Sequence, residues 1–192
     1  MLLGCLVKIN WVDIVIVIYI AWSFSIGKKR GLSGEGLALV TALFSLVLSL
    51  HFYQGTGDSL HRWFLLSVPS ADTIAYTAIA VLIILLGVLL GSFFKKIMKL
   101  SFLPNIEKIG GCICGTLRGI LISAVIIVGL AISPAAFMQE EVYINSFLGN
   151  YLVALSPKIH GWVLSNGPQS SASFDQGKFL SQLPERPKKE IL

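Results

Sequence analysis

Between Thr73 and Phe94 the chain runs 22 residues without one charged side chain. A stretch of that length and purity suits the hydrocarbon core of a bilayer, which about 20 helical residues cross with every backbone polar group paired inside the helix. Three further apolar runs, Ile9 to Ile26, Leu32 to Phe52 and Ile109 to Ile132, have the same character. Only 13% of the 192 residues are charged and 55% are apolar. A soluble surface needs about 25% charged residues, so most soluble enzymes and binding modules are excluded, and so is disorder of the whole chain.

The fold class that follows is all-α, an integral membrane helical bundle with four transmembrane helices at about 9–26, 32–52, 73–94 and 109–132, within a membrane domain spanning 9–136. Gly27, Lys28, Lys29, Arg30 and Gly31 separate the first two spans. Tyr53 to Asp72 reads as a polar loop with a short interfacial turn that holds Trp63 and Phe64 at headgroup level. After the fourth span, Ile144, Phe147, Leu148, Tyr151, Leu152, Leu155, Ile159, Trp162 and Val163 recur at steps of three and four. That period predicts an amphipathic interfacial helix over 137–164, lying on the outer membrane surface or capping the bundle, with Pro157 as a kink or break. Residues 165–192 are rich in Ser, Gln, Pro and charge and are expected to be disordered.

The net charge of +5 does not imply nucleic acid, because the bases are neither interleaved with aromatics nor gathered on one helix face. Their distribution orients the bundle instead. Seven bases (Lys28, Lys29, Arg30, Lys95, Lys96, Lys99, Lys108) flank one set of span ends, and two (Lys8, Arg62) flank the other. Short basic loops stay in the cytoplasm, so both termini are expected outside it. The bilayer is the expected partner. Cys5, Cys112 and Cys114 have no paired spacing, the three histidines have no ligand spacing, and no nucleophile lies beside a base. No metal, cofactor or catalytic residue is expected, and the chain reads as not an enzyme.

Gly111, Gly115 and Gly119 recur every four residues and form one groove along the fourth span; Gly87 and Gly91 do the same in the third. Such grooves let helices approach closely, within one chain, between copies or with other membrane proteins. Arg118 borders the fourth-span groove. An unpaired Arg at that depth costs at least about 2.5 to 3.5 kcal/mol, so it needs a partner. Helical side chains lean toward their own N-terminus, which favours Glu35 over Asp13. Arg118 then either pins two helices through Glu35, or lines a polar path for an ion, proton or solute with Glu35 and Asp13. Asp13 also reads as a helix-start acid near the interface.

Asp13 within the first span, Arg30-Gly31 followed by Glu35, and the run Glu107-Lys108-Ile109-Gly110-Gly111-x3-Gly115-x2-Arg118-Gly119 together resemble the bacterial colicin V production proteins. The resemblance covers roughly residues 10 to 135. Glu107-Lys108 stands where that family tends to have Asp-Arg, which keeps the charge order and loses the bidentate guanidinium. The resemblance implies a multi-pass protein of the bacterial inner membrane, needed for colicin V production and tied to envelope homeostasis. The family defines no molecular activity.

Overall fold

The computed structural model describes residues 10–97, 104–165 and 175–183. The expectations placed on Cys5, Lys8, Ile9, Lys99 and the remainder of the tail lie outside them. All regular structure among the described residues is helical. The elements are α1 (Trp11–Phe64), α2 (Val68–Ile97), α3 (Pro104–Ala131), α4 (Ala136–Glu140), a π-helical turn (Glu141–Asn145), α5 (Phe147–Ser165) and α6 (Gln176–Ser181).

Among the described residues three helices, α1, α2 and α3, are long and apolar enough to cross a membrane, where the sequence counts four spans. The difference lies in α1, whose 54 residues take in both of the first two apolar runs. Straight, it would be about 80 Å long, more than twice the hydrocarbon thickness. It is not straight. Gly31 interrupts it at φ 73°, ψ 174°, a backbone region open essentially to glycine alone. The Arg118 guanidinium touches both Ser23 at 3.2 Å and Glu35 at 2.9 Å, residues that a straight helix would hold about 18 Å apart. Val12 and Ile16 also share a core with Leu46 and Leu50. The element therefore doubles back at Gly31 into a first arm, 11–30, and a second arm, 32–64. Gly31 marks the turn end of the bundle, and Asn10 lies at the opposite, cap end.

The second arm packs against α2 in antiparallel register, with Leu37 opposite Gly91, Thr41 opposite Gly87, and Gly57 opposite Asp72. The rings of Tyr53 and Tyr76 meet edge to face at 6.0 Å in the same interface. The first arm packs against α3. Between these pairs lies a core that includes Leu46, Leu50, Tyr53, Tyr76, Val128 and Ile132.

Three expectations are corrected in detail. The stretch 53–64 is not a loop, because the second arm continues through it to Phe64 and the turn is confined to residues 65–67. Its two glycines are poor helix formers, at roughly 1 kcal/mol each, but Gly57 lies directly on Asp72 and Tyr53 and Gln54 are buried, so packing overrides propensity. Trp63 and Phe64 are exposed at the tip of this arm. Pro157 does not end α5, which runs on to Ser165, and α5 packs on α1 and α3, burying Leu152, Val153, Ser156 and His160. Phe147, Tyr151 and Trp162, on the apolar stripe read from the sequence, are exposed. Finally, part of the tail expected to be disordered is ordered. Asp175 caps α6 by accepting from the amides of Gly177 and Lys178, and Phe179 is fully buried in the core.

Candidate functional site

Small residues at steps of four run along two facing helices, Ser23 and Gly27 on the first arm with Gly31 at the turn, and Gly111, Gly115 and Gly119 on α3. The backbones are in contact. A β-carbon at Gly27 would collide with the Gly111 carbonyl oxygen, and one at Gly111 with that of Gly27. One at Gly115 would lie 2.8 Å from the Ser23 carbonyl oxygen, and one at Gly119 would lie 2.9 Å from Ser23 Cβ. The α3 glycine groove is thus filled by this chain's own first arm. Gly87 faces Thr41, and Gly91 faces Leu37 across ordinary contact distance.

This close approach brings Arg118 to the first arm and the turn. Its Nη1 lies 2.9 Å from Glu35 Oε2, and its Nη2 donates to Ser23 Oγ at 3.2 Å. Ser23 Oγ in turn donates to the Gly115 carbonyl at 2.7 Å. Arg30 Nη1 stands 3.6 Å from the other Glu35 oxygen. Glu35 has no exposed surface. Two guanidinium groups therefore share one buried carboxylate. The Arg118 Nε atom is buried with no hydrogen-bond acceptor.

Arg118 and Arg30 also line a cleft of about 600 Å³ between the second arm, α2 and α3. Serine and threonine hydroxyls from Ser33, Thr41 and Ser92 join them there, and the rest of the wall is apolar or glycine.

Asp13 is elsewhere. It is seven residues from Ile20, the residue opposite Gly119, about 10 Å farther along the first arm toward the cap end. Its carboxylate accepts from Ser146 Oγ at 2.6 Å and from the amides of Leu148 at 2.9 Å and Phe147 at 3.3 Å. Ser146 Oγ accepts from the Gly149 amide at 2.8 Å. Asp13 is therefore a long-range cap on α5, supplying negative charge where the helix dipole is positive. Arg118 and Glu35 come together; Asp13 does not join them.

A model of the colicin V production protein family matches residues 12–157. The chain belongs to that family. The colicin V production protein of Escherichia coli (strain K12) is 30% identical over 124 residues, 61% of this chain and 71% of its own length. The uncharacterized transmembrane protein YshB of Bacillus subtilis (strain 168) is 25% identical over 170 residues, 78% of this chain and 93% of its own. No solved structure matches the chain. The family match extends past α3 and takes in most of α5, so the Asp13 cap falls within the shared region.

Ser23, Gly27 and Arg30 were not singled out as site residues from the sequence. One signal was present for the first two: Ser23, Gly27 and Gly31 have the same four-residue step as the α3 glycines, and two matched ladders imply one interface. Arg30 enters the sequence reading as a loop base and as part of the Arg30-Gly31 motif; its approach to Glu35 depends on the hairpin.

Proposed function

We propose that this colicin V production family member is a non-enzymatic protein of the bacterial inner membrane, with four crossings and both termini outside the cytoplasm, that supports toxin production and export and envelope homeostasis. Family membership and membrane-protein relatives support the reading. The observation that carries it is the Arg118–Glu35 pair, a buried ion pair placed where two glycine ladders cross. Such a pair fixes the register of apolar helices that could otherwise slide. Both ladders are occupied within the chain, so assembly with other copies or other membrane proteins uses another surface. The outward face of α2, with Leu82, Leu85 and Leu89 more than half exposed, is the surface we assign to it.

The test is complementation. In Escherichia coli lacking its own colicin V production protein and supplied with the toxin genes, this chain should restore the halo of growth inhibition, and Arg118→Ala should not at equal membrane abundance. A wild-type chain that restores nothing, or a variant that restores everything, rejects the reading.

A small channel or transporter is the second reading, favoured by the cleft that Arg30 and Arg118 line. Asp13 is not part of that path. Flux of a proton, ion or solute into liposomes that falls with Arg118→Ala would support it; absence of flux removes it.

A further inference from the structure

The cleft beside the charge cluster is graded. Arg30, Ser33 and Ser92 stand at its turn end with the Arg118 guanidinium, whereas Ala42, Ile84 and Ile122 line it deeper in the bundle. Its volume of about 600 Å³ is that of a small-molecule site, roughly 300–1,000 Å³. It opens sideways, because α2 packs on α1 and barely meets α3, and Val88 at its rim is 62% exposed.

Both charged residues lining the cleft are arginines. Neither nearby carboxylate lines it: Glu35 has no exposed surface, and Glu107 accepts the Ser33 hydroxyl at 2.9 Å. Glu35 is shared by the two guanidinium groups, and the buried Arg118 Nε–H has no acceptor. The site therefore lacks an anion with several acceptor oxygens, and the wall beyond it is apolar.

We propose that the cleft binds one anionic phospholipid, with its phosphate between Arg30 and Arg118 and an acyl chain along α2 and the second arm. A phosphodiester offers charge-assisted hydrogen bonds to both arginines. A headgroup that also carries an ammonium would set a third cation beside two guanidinium groups, so phosphatidylglycerol is preferred to phosphatidylethanolamine. The inference goes beyond the proposed function and rests only on the cleft lying within the bilayer.

Native mass spectrometry of the purified full chain, titrated with either lipid bearing the same acyl chains, tests it. One tightly held phosphatidylglycerol is expected, and Arg30→Gln should weaken it roughly fivefold, the usual effect of one basic residue at an anionic headgroup. Arg30 is half exposed at the turn, so its replacement leaves the buried pair intact. Gly91→Phe should expel both lipids, because a β-carbon at Gly91 meets only Leu37 Cδ2, at 3.7 Å, and the ring would enter the cleft. Equal affinity for the two lipids, or binding indifferent to both substitutions, overturns the proposal. Displacement of the lipid by equimolar inorganic phosphate would mean that a free anion is recognised and overturns it as well. The readout is independent of complementation, so either result can fail without the other.

Discussion

A guanidinium inside an apolar bundle needs an opposite charge, and Arg118 finds one in Glu35 while donating to Ser23, on opposite arms of one hairpin. The choice of Glu35 over Asp13 was legible in the sequence because helical side chains lean toward their own N-terminus. Ser23 was not, since nothing local says that a serine twelve residues before Glu35 returns to its side. Breaking a buried pair from one side leaves an uncompensated charge, at about 3–5 kcal/mol, whereas replacing both partners with apolar groups is often near neutral. Arg118→Leu should therefore lower stability in a reversible detergent-unfolding assay more than Arg118→Leu with Glu35→Leu. Equal losses would show that Glu35 is not the partner that matters. In the single variant Arg30, 3.6 Å from Glu35, is the remaining cation, so Arg30→Gln added to Arg118→Leu should deepen the loss.

At the scale of elements, one glycine turns a 54-residue helical stretch into a hairpin. Gly31→Ala puts a β-carbon where φ is 73° and where Glu107 Cγ would be 2.7 Å away. The backbone cost alone is about 1–3 kcal/mol. Gly36→Ala is the matched control: nothing lies within 4 Å of its β-carbon, so better helix propensity should leave stability unchanged or raised by up to about 1 kcal/mol. If both substitutions behaved alike in thermal unfolding, Gly31 would not be the hinge. The N-terminus of α5 depends in the same way on a residue far from it in sequence. Asp13→Ala removes the acceptor of four donors, the Ser146 hydroxyl and the amides of Asn10, Phe147 and Leu148, and should cost about 1–2 kcal/mol, with hydrogen exchange rising first at the Phe147 and Leu148 amides. Uniform exchange across the bundle would instead assign Asp13 a general role. The sequence marked Asp13 as a helix-start acid, which is right in kind; that the helix was α5 as well as α1 follows only from the packing.

For the whole molecule, apolar run length marked the stretches that form long apolar helices, because lipid sets that length directly. It said little about where helices end, since outside the hydrocarbon the limit is packing. The second arm runs past its apolar stretch to Phe64, where Gln54 bonds to Asp175, Asp58 to Lys178 and Asp72 to Gln182. Those polar links, with Phe179 buried among them, hold a tail segment whose composition alone reads as disordered. The hairpin at Gly31 makes a definite topology. With Cys5, Cys112 and Cys114 replaced, single cysteines at Lys29, Ser59 and Ser181 can be probed with a membrane-impermeant maleimide on intact bacteria whose outer membrane has been opened. Two crossings by α1 put Lys29 on one side and Ser59 on the other, and the ion pair between Asp58 and Lys178 keeps Ser181 with Ser59. Ser59 and Ser181 should label, and Lys29 only after the inner membrane is breached. Labelling of Lys29 alone would reverse the orientation and keep the four crossings. Labelling of Lys29 together with Ser59 would mean that the second arm does not cross, and the four-crossing bundle would fall.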